Sequence, residues 1–590
     1  MKTLKVLIVL AIFAICIHHS SAQTALTNLA GRNSISLNGK WNYIIDPLDA
    51  GSESWIALWK DKKPEGKTDF YEYSFDQSPV MNVPGDFNSQ LPELKYYEGV
   101  VWYKKVIYYA KKADKRLFLC FDGVNYKARI FLNGEKIGEH EGGFSPFQFD
   151  ITNLIKDGEN SIIVYTSNLR VKDGIPSLSY DWRNYGGITR DVTLVETPQS
   201  YINDYFIQLK KGSKTDVTGW VKLAGSRLKQ NVRIIIPEAK INFKANTNDS
   251  GFVAIDFPAK LQLWKPENPK LYNVQIICET DSIAENIGFR TIEVKGTDIL
   301  LNGESIFLKG VNIHEEIPQR EARAHSEADA RVLLGWAKDL GCNFVRLAHY
   351  PHNENMVRMA EKMGLMVWSE IPVFQGISFG NPKTNDKIIS MVDEMIGRDK
   401  NRCGVILWSV ANETSSNAER NKALINAINE CRKLDPARLV TAAMNNVKYG
   451  KGTVTISDTL FHSLDVIGVN EYLGWYNQWT AKPEEMVWKS DFNKPLIMSE
   501  FGGEALYGNH GPADVASSWS EEFQEQLYID QIAMFKNIPF LRGTCAWILA
   551  DFKSPKRMHQ AYQNGWNRKG LISDQGYKKK AWYVLARYYK

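Results

Sequence analysis

The chain has 590 residues, 44% hydrophobic and 24% charged, with 72 Lys+Arg against 67 Asp+Glu for a net charge of +5. These are globular proportions and exclude disordered, collagen-like and coiled-coil classes. So small a basic excess on so long a chain argues against a dedicated nucleic-acid binder, in which basic residues concentrate. At roughly 100–200 residues per domain the length predicts about three to five domains. Seventeen Trp and 26 Tyr suit sugar rings, although cores absorb most aromatics.

Residues 1–22 differ in kind from the rest. Lys2 and Lys5 precede an apolar run, Val6 to Ile17, and Ser20-Ser21-Ala22 supplies small residues where a signal peptidase cuts. The run is too short to span a bilayer, and bulky Ile15 ahead of Cys16 argues against a lipid-modified cysteine. This predicts a secretory signal cleaved before Gln23, an exported chain (periplasmic or secreted), and no membrane insertion after cleavage. Residues 23–197 carry short apolar runs with turn signals between them: Val101–Tyr109, Arg116–Phe121, Ala128–Leu132 and Ser161–Thr166. Asn133-Gly134 between two such runs predicts a hairpin, and the whole an all-β sandwich. Residues 198–293 repeat the pattern at the size of an immunoglobulin-like sandwich, with runs Tyr205–Lys210, Thr218–Leu223, Val232–Ile236 and Val274–Cys278. Pro266 and Pro269 stiffen a turn before its last strands.

From 294 to 590 the period changes. Strand-like runs fall at Ile306–Ile313, Asn343–Ala348, Met366–Ile371, Val405–Val410, Leu439–Ala443, Val466–Val469, Leu496–Ser499 and Gly543–Leu549. Helical segments such as Ala328–Leu340, Glu354–Met363, Asp386–Arg398 and Asn417–Leu434 fall between most of them. Eight βα units predict a (β/α)8 TIM barrel. The alternative, a doubly wound open sheet, gains nothing from the sequence, which has neither GxGxxG after a strand nor a Walker motif. Beyond Cys16 the six cysteines are scattered, without CxxC. That predicts buried free thiols rather than a zinc ribbon or a disulfide framework.

Barrel active sites lie at the C-terminal ends of the strands. In chain order those ends carry His314, Glu315 and Glu316; Arg346 and His349; Glu370; Asn412 and Glu413; Asn470 and Tyr472; Glu500; and Trp547 and Asp551. Carboxylates after the third, fourth, sixth and seventh apolar strands, Glu370, Glu413, Glu471 and Glu500, therefore point at one mouth. Glycoside hydrolysis needs two carboxyl groups flanking the scissile bond, and the fourth and seventh strands lie nearly across a barrel from each other.

The sequence resembles glycoside hydrolase family 2 over essentially the whole mature chain. In the first sandwich the resemblance rests on Gly123-Val-Asn-Tyr-Lys-Ala-Arg-Ile-Phe-Leu-Asn-Gly134, Gly142-Gly-Phe-Ser-Pro-Phe147 and Gly187-Ile-Thr-Arg190. In the barrel it rests on Lys309-Gly-Val-Asn-Ile-His-Glu315, Val345-Arg-Leu-Ala-His-Tyr-Pro351, Trp408-Ser-Val-Ala-Asn-Glu-Thr414 and Ser499-Glu-Phe-Gly502. It implies a jelly-roll sugar-binding-type domain, an immunoglobulin-like domain and a catalytic barrel, hence a multidomain β plus α/β chain. It further implies retention of anomeric configuration through a covalent glycosyl-enzyme, with Glu413 as acid/base and Glu500 as nucleophile. Asn412 would meet the sugar 2-hydroxyl, Tyr472 would orient the nucleophile, and His314, His349, Trp547 and Asn470 would belong to the sugar site. Arg346 is expected in a buried ion pair beneath it, with Glu370 as partner.

Within the family, Asn567-x-Lys569 resembles the β-glucuronidase signature for the substrate C6 carboxylate, and Asp181, in Ser179–Tyr185, the aspartate that meets the far hydroxyls. A neutral C6 group is expected to leave Lys569 unpaired, which is costly in a closed site. The alternative is a surface lysine, since Lys578, Lys579 and Lys580 follow. Gln563 stands near where some β-glucuronidases have a carboxylate-binding arginine, a role Arg557 could fill. No long insertion lies between His349 and Ser369, so the aglycone side is expected to be open. The implied activity is a retaining exo-β-glucuronidase acting on a β-glucuronide or related oligosaccharide, without metal or cofactor. A β-galactosidase or β-galacturonidase of the same family and a non-catalytic carbohydrate-binding protein are the alternatives. Homo-oligomerisation is left open.

Overall fold

The computed structural model describes residues 23–68 and 70–590; the leader predicted at residues 1–22 lies outside the described residues. The first domain is a sandwich of a five-stranded and a six-stranded antiparallel sheet. Its long strands include Val100–Tyr109, Lys115–Phe121, Lys127–Leu132 and Gly158–Ser167. Their inward residues, Tyr103, Leu119, Ile130 and Val164 among them, form one buried core. The predicted hairpin closes at Asn133 and Gly134, with φ of 51° and 85°. Two successive left-handed residues make the turn that matches the twist of a two-residue hairpin, which is why Asn-Gly stands there. Residues 200–287 form a second, smaller sandwich of three and four strands around Val221, Ile234, Ile255 and Val274.

Eight parallel strands then close into a barrel. They are β1 (Leu308–Ile313), β2 (Phe344–Leu347), β3 (Met366–Glu370), β4 (Val405–Asn412), β5 (Leu439–Met444), β6 (Ile467–Asn470), β7 (Leu496–Glu500) and β8 (Leu541–Ala546). Both faces of each strand are covered, so each reads as a nearly continuous apolar run. Six α-helices pack outside: α1 (Glu327–Leu340), α2 (Glu354–Lys362), α3 (Pro382–Asp399), α4 (Ala418–Leu434), α5 (Glu521–Phe535) and α6 (Lys580–Tyr589). Helix α1 opens on a capping box between Ser326 and Asp329 and stops at Gly341, whose φ of 95° suits glycine alone. The fifth and sixth units depart from the predicted eightfold βα pattern. In place of α-helices they carry short 3-10 turns and a small sheet of Val447–Gly450, Thr453–Ile456 and Val487–Ser490.

A three-stranded sheet over residues 292–305 packs with Trp264 against the strand starts Leu308, Phe344 and Met366, closing the bottom of the barrel. At the other end Arg190 of the first sandwich pairs with Glu315 at 3.0 Å and donates to the Phe144 and Pro351 carbonyls. This buried junction sets Ser179–Trp182 over the barrel mouth. All six described cysteines are free and buried. Among the described residues no helix is long and apolar enough to cross a membrane.

Candidate active site

The ends of β4 and β7 bring Glu413 and Glu500 into one cavity of about 860 Å³, lined by barrel loops and by Ser179–Trp182 of the first sandwich. Glu413 is half-buried and sits one residue past β4 with φ 52°, a left-handed backbone that costs a non-glycine residue on the order of 1 kcal/mol. Its Oε1 accepts from Asn470 Nδ2 and its Oε2 from Gln375 Nε2, both at 3.1 Å. Glu500 is buried. Its Oε1 accepts from Arg346 Nη1 at 2.7 Å and its Oε2 from the Tyr472 hydroxyl at 2.7 Å. Burial pushes the Glu500 carboxyl up from its ordinary range; Arg346 opposes that rise and the Glu413 carboxyl adds to it.

Arg346 organises the floor of the site. Besides Glu500 it grips both oxygens of Glu370, at 3.1 and 2.9 Å, and donates to Asn412 Oδ1 at 2.7 Å. Against the cost of burial, Arg346 and His349 hold the Glu370 carboxyl down at about 2. Because Asn412 Oδ1 accepts from both Arg346 and Asn470, its amide is oriented, and its Nδ2 is a buried donor without a protein partner in the cavity wall. A buried amide donor left unsatisfied costs about 1–3 kcal/mol, and a substrate oxygen placed there would recover it.

Aromatic rings form the sides. Trp547 stacks on His349 at 4.7 Å and 20° between planes, and Trp182 from the sandwich packs against His314, His349 and Phe374. Nδ1 of His349 lies 2.8 Å from Glu370, and that of His314 lies 3.2 Å from the Tyr350 hydroxyl. Burial first, then the neighbouring imidazoles and arginines, push His314 well below its ordinary value and keep it neutral.

The far wall is a knot of charges. Lys569 is buried; its Nζ donates to the Tyr476 hydroxyl at 2.8 Å and to Glu504 Oε1 at 3.1 Å. Arg557 donates to the same Glu504 oxygen at 2.8 Å and to Asp181 Oδ2 at 2.6 Å. Glu504 Oε2 accepts from Gln563 and from the Arg568 backbone N–H, both at 3.0 Å. Burial opposes its ionisation, yet Lys569 and Arg557 hold its carboxyl down at about 2. The expectation that a neutral sugar would strand Lys569 unpaired is therefore corrected: Glu504 pairs it already. Gln563 points to Glu504 and is absent from the cavity lining.

Residues 292–590 match the family model "Glycosyl hydrolases family 2, TIM barrel domain", residues 35–198 that family's "sugar binding domain", and residues 200–290 its third model, "Glycosyl hydrolases family 2". The barrel match alone covers more than half the chain. The chain belongs to glycosyl hydrolase family 2. Among family members it is similar to a putative β-glucuronidase of Formosa agariphila, 29% identical over 568 residues, covering 86% of this chain and 66% of that protein, just under two thirds of its length. It is also similar to the β-glucuronidase of Streptococcus agalactiae, 29% identical over 547 residues, covering 84% and 89% of the two chains. A solved β-glucuronidase structure from an uncultured Clostridium superposes with a TM-score of 0.82 at 26% identity, covering 96% of this chain and 99% of that one.

Of the residues predicted for this family 2 site, Asp181, His314, His349, Asn412, Glu413, Tyr472, Glu500, Trp547, Arg557 and Lys569 line the cavity. Asn470 and Asn567 do not. Asn470 sits behind Glu413, held by the Ser499 hydroxyl at 2.7 Å. Asn567 is buried behind Lys569, accepting from its backbone N–H at 3.1 Å and donating to Asp181 at 3.2 Å. Glu315 serves the domain junction, and Asp551 pairs with Lys579 at 2.8 Å. Sequence reasoning missed Trp182, Gln375, Tyr476 and Glu504. Trp182 follows Asp181 directly, inside the segment Ser179–Tyr185 already singled out, and Glu504 lies just two residues beyond Ser499-Glu-Phe-Gly502. Gln375 and Tyr476 lie on loops with no such local signal.

Proposed function

We propose that the protein is a retaining, exo-acting β-glucuronidase that releases terminal β-D-glucuronic acid. The observation that carries this reading is the pairing, in one cavity, of two differently held carboxylates with a far wall bearing Lys569 and Arg557. Glu500, fixed by Arg346 and Tyr472, attacks the anomeric carbon. Glu413, in its protonated form, gives its proton to the departing glycosidic oxygen. The C1–O bond to the aglycone breaks and an ester to Glu500 forms. Glu413, now ionised, takes a proton from water, whose oxygen attacks C1 and frees Glu500. Two inversions give net retention, and the product keeps the β configuration.

The unpaired Nδ2 of Asn412 donates to the sugar 2-hydroxyl. Lys569 and Arg557 meet the C6 carboxylate, and Asp181 accepts from the far hydroxyls. A wall closed by the first sandwich fits attack on a chain end. The similarity to β-glucuronidases of two bacteria supports the same substrate class. We propose export from the leader pattern of residues 1–22; amino-terminal sequencing of the mature protein is expected to begin at Gln23.

The test is a panel of 4-nitrophenyl β-D-glycosides. The expected outcome is the highest kcat/KM on the glucuronide. Preference for the galacturonide or galactoside would replace the substrate while keeping the chemistry. No turnover of any of them would favour a carbohydrate-binding protein.

A further inference from the structure

The half-buried Glu413 is held from outside the barrel strands by Gln375, and nothing in the mechanism above uses that residue. Gln375 lies on the loop after β3, is solvent-exposed, and has φ 50°, left-handed like Glu413 itself. The two strained residues are locked together. The Asn412 N–H donates to the Val373 carbonyl at 2.8 Å, and the Gln375 N–H donates to the Asn412 carbonyl at 2.9 Å, so this loop continues the parallel pairing past the end of β3 to the last residue of β4. The side chains then close the arrangement at 3.1 Å between Gln375 Nε2 and Glu413 Oε2. The loop is in turn held by the first sandwich. The Ser177 hydroxyl donates to the Gly376 carbonyl at 2.6 Å, and the Ser378 hydroxyl to the Lys172 carbonyl at 3.2 Å. A strained backbone persists only where its surroundings over-determine it, and here two domains do so around one glutamine.

We infer that Gln375 is a positioning residue for the acid/base, through which the first sandwich fixes the rotation of the Glu413 carboxyl. The inference rests on the assignment of Glu413 above. Gln375 Nε2 donates to one carboxylate oxygen and Asn470 Nδ2 to the other, each at 3.1 Å. His314, His349, Tyr472 and Glu500 face the same cavity from the ends of β1, β2, β6 and β7, Tyr180 and Asp181 from the first sandwich, and Tyr476, Lys556, Arg557 and Lys569 from later loops. None of these donates a hydrogen bond to Glu413, whose two oxygens are held by Gln375 and Asn470.

The experiment uses the full chain and whichever aryl glycoside the wild type hydrolyses best, as 2,4-dinitrophenyl and phenyl derivatives. Loss of one hydrogen bond to an ionisable group predicts that Gln375→Ala lowers kcat/KM about tenfold on the phenyl glycoside and by less than about threefold on the dinitrophenyl one, whose departure needs little acid. Gln375→Glu places a like charge beside Glu413 and is expected to move the alkaline limb of the pH–rate profile up by about one unit. Thermal melts check that both variants fold. Equal losses on both leaving groups, with the pH profile of Gln375→Glu unmoved, overturn the inference and make Gln375 a loop anchor only. A wild-type chain inert on every glycoside overturns the functional reading and this inference with it. Activity on another sugar overturns the substrate alone, and the leaving-group test then runs on that sugar.

Discussion

Replacing Lys569 by alanine isolates the proposed contact with the substrate carboxylate. The ammonium is 3.1 Å from Glu504 and 2.8 Å from the Tyr476 hydroxyl, with only 1% of the side chain exposed. Truncation leaves Glu504 with three donors, Arg557, Gln563 and the Arg568 N–H, so the fold loses little and the effect falls on substrate. A charge-assisted hydrogen bond contributes about 1.5–3 kcal/mol. Glu504 shares the charge, which places the contact at the lower end, and at about 1.36 kcal/mol per tenfold kcat/KM on the glucuronide falls about tenfold. The glucoside, without a carboxylate, is expected to change by less than about threefold. An unpaired Lys569 would instead have impeded neutral sugars, and its removal would have accelerated them. The assay compares kcat/KM on 4-nitrophenyl β-D-glucuronide and β-D-glucoside for wild type and Lys569→Ala, with thermal melts as the control for folding. Equal losses on both sugars refute the carboxylate contact, and a gain on the glucoside refutes neutralisation by Glu504.

Glu500→Gln is expected to abolish turnover, because an amide cannot attack the anomeric carbon. Glu413→Gln is expected to lose about 10²–10⁴ in rate on a phenyl glucuronide while sparing the first step with a dinitrophenyl leaving group; wild-type rates for either variant on the phenyl substrate would remove the assigned roles. The Glu315 carboxyl is held down to about 2 from an ordinary 4.5, Arg190 and Arg323 outweighing the cost of burial. Its folded value lies below its unfolded one, so the stability it contributes is complete above about pH 4.5 and lost as pH falls towards 2. The melting temperature of wild type is therefore expected to fall more steeply across that window than that of Glu315→Gln, and parallel curves would refute the linkage. Six buried free thiols predict no reaction with a thiol reagent in the native protein and six equivalents after denaturation. A seventh equivalent would be Cys16 and would contradict cleavage before Gln23.

The barrel was legible because each parallel strand is covered on both faces, and an apolar run such as Val405–Val410 has no other simple reading. The observed strand, Val405–Asn412, extends two residues further, into Ala411 and Asn412, because Val373 and Gln375 pair with its end. The missing helix of the fifth unit has a local cause. Gly450 and Gly452 break any helix there, and Val447, Thr453, Val454 and Thr455 favour the hairpin that forms instead. Glu413 and Glu500 were readable because they stand at the ends of their strands, Glu500 as the last residue of β7 and Glu413 as the first after β4, so strand and chemistry occupy one short stretch of text. The partners of Lys569 were not. Asp181, Glu504, Arg557 and Lys569 come from four segments and two domains, and charge pairing across such separations leaves no periodicity to detect.

That pairing also explains why the far wall tolerates two cations. Lys569 is nearly inaccessible and Arg557 only about one-fifth exposed, so two bare positive charges facing a cavity would carry a heavy desolvation cost whenever no uronate balanced them. Glu504 and Asp181 remove that cost without occupying the same side. Asp181 lines the cavity, while Glu504 lies behind the cations and outside the lining. The four formal charges cancel before substrate enters, and the incoming carboxylate meets donors already held in place by Glu504, Tyr476 and Asp181. Binding energy is thereby limited to the difference between two anionic partners for the same cations. The proposed release of glucuronic acid after every turnover calls for that limit, because a fully uncompensated Lys569–Arg557 pair would hold the product as firmly as the substrate and gain nothing in the transition state.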